Sequence, residues 1–177
     1  MDAKGSTQTA ARITMFQTRH GLGEDTRRTM VGLLNHRLAD ALDLYAQTKH
    51  AHWNVKGPGF FQAHKLFDEL AEAVEGHADS LAERATALGG TALGTVRMSA
   101  QGSSLQEFPS DLENDMAFVR ALADRYGEHA RKMGEGITSA VEHGDLGTAD
   151  LLTSIAGELD KDLYFLESHL QAHGSTR

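Results

Sequence analysis

Five side chains stand at spacings that suit metal chemistry: His52, His64, Asp68, Asp79 and Glu83. His64 and Asp68 lie four residues apart, and so do Asp79 and Glu83. On a helix, residues i and i+4 project from one face and can share an ion. Imidazole with carboxylate is a ligand set for iron or zinc. The chain has no cysteine, so disulfides and thiolate metal sites are excluded. From His64 to Asp79 the chain advances fifteen residues, roughly 22 Å along a straight helix. One ion therefore cannot touch both pairs within one chain. A two-fold dimer of antiparallel helices would bring His64 and Asp68 of one chain toward Asp79 and Glu83 of the other, giving two equivalent sites. Taken singly, each pair is more often a solvated helix face than a metal site.

The elements that must position these residues read as helices. The first begins near Asp25 and Thr26, either of which can cap it. Leu34, Leu38, Ala41, Tyr45, Thr48 and His52 follow on one face. Lys56-Gly57-Pro58-Gly59 ends it. The second helix runs from about Phe60 to Leu88 with Phe67, Leu70, Val74, Leu81, Ala85 and Leu88 on its apolar face, and Gly89-Gly90 stops it. Residues 90–109 are rich in Gly, Ser and Thr, and too long for a simple turn. Within them Ser103 to Glu107 is read as one short helix or as a loop crossing the long axis. The third helix is expected from Ser110, as cap, to about His143, through Met116, Val119, Leu122, Tyr126, Met133 and Ile137. The fourth runs from near Thr148 to about Ala172, with Leu151, Leu152, Ile155, Leu159, Leu163, Leu166 and Leu170 inward. Strand signals are absent. The fold class is all-α: an antiparallel four-helix bundle with a long connection between its second and third helices. Residues 1–23 read as a flexible tail, 24–173 as the bundle and 174–177 as a frayed end.

Composition narrows the function classes. The chain is 40% hydrophobic and 24% charged, as a soluble globular protein is. Its formal net charge of -8 suits attraction of cations and disfavours a globally basic nucleic-acid binder. No window approaches the roughly 18 apolar residues of a membrane span, and the first residues lack a secretory pattern. A cytoplasmic protein with no membrane partner is expected. Nowhere does a Glu precede a His by three residues, so the Glu-x-x-His intrachain centres of conventional di-iron bundles are disfavoured.

The wording around the five residues carries more. Thr48-Lys-His-Ala-His52-Trp-Asn-Val-Lys-Gly57, Phe61-Gln-Ala-His64-Lys-Leu-Phe-Asp68-Glu69, His77-Ala-Asp79-Ser-Leu-Ala-Glu83-Arg84 and Ala87-Leu-Gly-Gly90 resemble the Dps family of ferritin-like proteins, the DNA-binding proteins from starved cells, also called miniferritins. Ala92-Leu-Gly-Thr95, Ala123-Asp-Arg-Tyr126, Thr148-Ala-Asp-Leu-Leu152, Leu159-Asp-Lys161 and Phe165-Leu-Glu-Ser168 extend the match over roughly residues 25–170. The resemblance implies a dodecameric shell with ferroxidase sites at two-fold interfaces. The ligands would be His52, His64 and Asp68 of one chain with Asp79 and Glu83 of its partner. It implies oxidation of Fe(II), with hydrogen peroxide commonly preferred to oxygen, storage of ferric oxide, and protection of DNA from oxidative damage. Asp68 and Glu83 would be the strong ligands, His52 and His64 direct or water-mediated ones, and Asp79 would orient water or a weaker second iron. Trp53 would lie near the iron, as electron donor or as interface anchor. Tyr45 and Tyr126 carry the same ambiguity, with core packing favoured.

Other expectations concern partners. Glu142, Asp145 and Asp150 form an acidic corner that either lines three-fold pores or is only a solvated loop; Asp145 and Asp150 are the preferred pore residues. Zinc or manganese competes for the same ligands, because His and carboxylate do not select iron uniquely. His20, His36, His169 and His173 are candidates for accessory metal or ordinary surface residues. DNA would be held, if at all, through residues 1–20, where Lys4, Arg12 and Arg19 act by avidity and in a salt-dependent way, and the protein would then be nucleoid-associated. A DNA-compacting structural shell with little ferroxidase activity is the alternative function.

Overall fold

The computed structural model describes residues 14–171. Five helices follow in order: α1 (Glu24–Asn54), α2 (Phe60–Ala87), α3 (Val96–Gly102), α4 (Asp115–Glu142) and α5 (Leu146–Gln171). No strand occurs among the described residues. α1 pairs with α2, and α4 with α5, as two hairpins. The hairpins pack so that α1 meets α4 and α2 meets α5, while α3 lies on α1 within the long crossover. This is the antiparallel four-helix bundle expected, with a short helix in the long connection. No helix among the described residues is long and apolar enough to cross a membrane.

The bundle closes on residues at helical spacing. Leu34, Leu38 and Leu44 of α1 meet Phe67, Val74 and Leu81 of α2, Leu122, Tyr126 and Met133 of α4, and Leu152, Leu159 and Leu166 of α5, all buried. Each such side chain contributes about 1.5–3 kcal/mol on leaving water. Gly89 ends α2 with a φ of 84°, a conformation that strains a side chain.

Several boundaries fall elsewhere than the sequence suggested. α1 starts one residue before Asp25, behind Gly23, which makes no side-chain cap; Glu24 and Asp25 instead lie in the first turn, where the helix dipole favours acids. The short helix occupies Val96–Gly102, not Ser103–Glu107, because the Thr95 side chain accepts from the Met98 N–H. Ser103 and Ser104 are drawn off by α1: the Ser103 hydroxyl donates to Asp43 at 2.6 Å and the Ser104 N–H to Asp40 at 2.7 Å. α4 begins at Asp115, capped by Asn114 rather than Ser110, with the Ala117 N–H donating to Asn114 Oδ1 at 3.0 Å. α5 begins at Leu146, two residues before Thr148; Asp145 caps it by accepting from the Thr148 N–H at 3.0 Å.

The stretch expected to be loose is pinned from Thr14 onward. Phe16 N–H donates to the Gly89 carbonyl at 2.6 Å. The buried Arg27 guanidinium donates to the carbonyls of Leu22 and Leu88. Met15 and Leu22 pack against the core. Among the described residues, Thr14 to Gly23 thus lie against the bundle.

One polar group of the interior is costly. Asp162 is buried, and its Oδ2 has no hydrogen-bond partner. Burial pushes its carboxyl up to about 6; Glu158 pushes the same way, while His77 and Lys161 oppose. Above pH ~6 the folded state carries an ill-solvated charge, and below the unfolded value near 3.9 it carries none. Asp162→Asn is therefore expected to raise stability by about 1–2 kcal/mol at pH 7.5 and to leave it nearly unchanged at pH 3.5. Urea unfolding at the two pH values measures this; an equal effect at both would show that the charge is not the cause.

Candidate metal centre

Two histidines are locked together where α1 hands over to α2. His52 lies in the last turn of α1, and His64 begins the second turn of α2. Their imidazoles stack with centroids 3.8 Å apart and planes 20° apart. His52 Nδ1 donates to the His64 carbonyl at 2.8 Å, and His64 Nδ1 donates to the His52 carbonyl at 2.9 Å. A carbonyl only accepts, so each Nδ1 carries its proton. Each neutral ring then keeps its lone pair on Nε2, the state a metal ligand needs. The turn between them is held from α4. Gly57, at φ 138°, and Gly59 both lie against the Asp115 carboxylate, where a Cβ would clash. Asp115 Oδ2 accepts the Gly59 N–H at 2.5 Å.

Asp68 comes next, one turn after His64. Its Oδ1 lies 3.9 Å from His52 Nε2 and 2.6 Å from the Lys49 ammonium. The Lys49 hydrogen bond holds the Asp68 carboxyl below the usual carboxylate range, with His52 and Lys65 adding to the effect. The Asp68 carboxylate and the His52 Nε2 thus lie close together, with the Lys49 ammonium on the carboxylate. Beside them is a cavity of about 120 Å³ lined by Tyr45, Lys49, Asp68, Glu72 and Glu75.

Asp79 and Glu83 are not brought to this point. Both are exposed on α2, further along the same helix. At about 100° per residue, His64, Asp68, Asp79 and Glu83 fall within one sector of roughly 100°, opposite the buried Phe67, Leu70, Val74 and Leu81. Among the described residues no three His, Asp or Glu side chains converge on one metal position.

The remaining predicted residues divide by environment. Trp53 is 70% exposed, with the Lys49 ammonium 6.0 Å from its ring centre. Phe61, at the start of α2, is 64% exposed, so the α1–α2 corner presents aromatic rings to solvent. Tyr126 is buried in the core, its hydroxyl 3.3 Å from that of Thr48, and burial pushes its phenol well up. Tyr45 is half-buried and lines the small cavity. Asp145 is not an open acid: it is buried and ion-paired with Arg84 at 2.6 Å. Glu142 and Asp150 are exposed at the same corner. His20 Nδ1 accepts from the Leu22 N–H, His36 is exposed and His169 half-buried. His173, Lys4 and Arg12 lie outside the described residues.

Sequence reasoning missed Lys49, Glu72, Glu75 and Asp115. Lys49 stands three residues before His52, and Glu72 four after Asp68, so helical spacing held a signal for both. Nothing in the sequence connects Asp115 to Gly59.

Comparison with known proteins fits this arrangement. Residues 31–173 match the family model of the ferritin-like domain. The DNA protection during starvation protein of Agrobacterium fabrum is 40% identical over 155 residues, covering 88% of this chain and 96% of that protein. The protein of that name from Mycolicibacterium smegmatis is 34% identical over 157 residues, covering 87% and 84%. The solved structure of Mycobacterium smegmatis Dps superposes with a TM-score of 0.84 at 32% identity, covering 91% of each chain. An archaeal Dps homologue from Halobacterium salinarum gives 0.85 at 29% identity, covering 98% of this chain and 96% of that one. The stacked histidines, the carboxylates along one face of α2 and the crossover helix therefore belong to a chain of the Dps family, within the ferritin-like fold.

Proposed function

We propose that the protein is a ferroxidase and iron store that protects DNA, working as a shell of twelve copies with its oxidation sites at two-fold interfaces. The observation that carries this is the pair of Nδ1–H hydrogen bonds that leave Nε2 of His52 and of His64 as the nitrogen available to a metal, close to Asp68, on the side of α2 that also bears Asp79 and Glu83. The names of the relatives add the DNA-protecting role.

In this reading ferrous iron is the substrate. Asp68 and the partner's Glu83 bind it as hard anionic oxygen ligands, and His52 and His64 supply nitrogen. The partner's Asp79 holds water or a second, weaker iron. Lys49 must leave Asp68 as the ion enters. Hydrogen peroxide takes one electron from each of two ferrous ions, and water supplies the remaining oxygen as ferric oxyhydroxide forms and protons are released. Zinc and manganese compete for the same ligands. Trp53 and Phe61 are covered by the partner subunit, which explains their exposure in one chain; Trp53 then also stands close enough to lend an electron. Glu142 and Asp150 draw cations toward the shell. Residues 1–20 are the DNA-contacting part, by charge and avidity.

The direct test mixes the iron-free protein with anaerobic Fe(II), adds one peroxide per two iron, and follows ferric absorbance. Asp68→Ala with Glu83→Ala is expected to slow oxidation at least about tenfold, since hard anionic ligands are lost. Rates equal to the parent would move the chemistry elsewhere and favour the DNA-compacting shell. Sharing of the site has its own test. Asp68→Ala and Glu83→Ala subunits, each inactive alone, are co-assembled in equal amounts. Half of the dimers are then mixed, and each mixed dimer has one site with both lesions and one with neither. About a quarter of all sites are expected to be intact, and an intrachain site would give no recovery. Lys49→Met should tighten binding of Co(II), a spectroscopic stand-in for Fe(II), several-fold in optical titration, because a competing cation is gone. Weaker binding would mean that Lys49 supports the ligands instead.

A further inference from the structure

A second site lies on the other side of α1, where the crossover passes over it. A cavity of about 600 Å³ opens between Asp43, Gln47 and His50 of α1 and Ser103, Glu107 and Phe108 of the crossover. That volume is in the range of small-molecule sites. Among the described residues no Lys or Arg lines it. Arg125 approaches from behind, donating to the Glu107 carbonyl at 3.3 Å.

Gln47 is the telling residue. It is only 7% exposed, and its Oε1 has no hydrogen-bond partner among the described residues. The amide cannot be turned to cure this. Its Nε2 donates to the Gln106 carbonyl at 3.2 Å, so a flip would set two oxygens against each other. A buried carbonyl left without a donor costs about 1–3 kcal/mol. Asp43 spends one oxygen on the Ser103 hydroxyl at 2.6 Å, and its other is open. The Glu107 carboxylate is exposed and takes part in no ion pair among the described residues. Phe108, edge-on to His50 at 5.6 Å, offers an aromatic ring of the kind that attracts cations. The cavity thus has acceptors, negative charge and an apolar wall, and Gln47 is in its lining. Metal ions fit poorly, because no three His, Asp or Glu side chains converge there.

We propose that this cavity binds an aliphatic organic cation, its ammonium or guanidinium group donating to Gln47 Oε1 and to Asp43 and Glu107, with its methylenes along Phe108. The chemistry has two sources: a free polyamine, or a Lys or Arg side chain such as Lys4 or Arg12 of this chain's first thirteen residues. The test is calorimetric titration of the assembled protein with 1,4-diaminobutane in about 150 mM salt, where diffuse attraction to an acidic surface is screened. The full chain, a chain lacking residues 1–13, Asp43→Asn/Glu107→Gln and Gln47→Leu are compared, with assembly checked by size exclusion and Fe(II) oxidation expected to be unchanged in all. Binding of one diamine per full-length chain, weakened at least about tenfold in both variants, identifies a free amine as the ligand. Binding seen only after removal of residues 1–13, and lost again when either variant is added, identifies the chain's own basic segment. The proposal is overturned by the absence of binding in both full-length and shortened chains, or by binding that the variants leave unchanged.

Discussion

An α-helix cannot bend back on itself, and α2 sets Asp79 and Glu83 far from His64 and Asp68 on the same side of one straight rod. Much of the architecture can be read as the accommodation of that constraint. The side of α2 that bears these four residues is not the one its own bundle covers: the buried Phe67, Leu70, Val74 and Leu81 lie opposite, and α2 packs on α1, α4 and α5. The crossover lies on α1 and leaves that side of α2 free. If all four residues serve one kind of site, as proposed, a copy of the chain must complete it.

The histidine pair shows how local structure is spent on that chemistry. Each Nδ1 uses the other residue's carbonyl, oxygens near the end of one helix and the start of the next. Those bonds fix ring orientation as well as tautomer, the role that outer-shell partners play around metals. Asp115 supports the same corner from a third helix. Its carboxylate fills the space beneath Gly57 and Gly59, which is why the turn tolerates no Cβ there. The rigidity of the histidine pair is thus tertiary, although both histidines come from one hairpin.

The parts legible in the sequence were those with a period or a punctuation mark. The helices, the Gly-Pro-Gly turn, the Gly89 stop and the five ligand candidates all have one. What escaped was set by contacts across the bundle. Ser103 and Ser104 are helix-compatible alone, but Asp43 and Asp40 claim them. Ser110 is a good cap by type, yet the chain stays extended until Asn114, with Phe108 and Leu112 packed on the core. Asp145 reads as an open acid until Arg84 reaches it from α2. Lys49 reads as an ordinary surface lysine until Asp68 is placed beside it.

That lysine changes what affinity means at this site. In the lone subunit Asp68 already has a cation, tethered three residues before His52. A tethered group acts at an effective concentration that dilution cannot lower. An arriving metal must therefore compete with a fixed internal rival. On the proposed two-chain reading, this rival discriminates against stray cations, and capture becomes favourable when the second chain's two carboxylates are added. On that reading the unassembled polypeptide is a poor chelator, and tight binding waits for the assembly that can store what is bound.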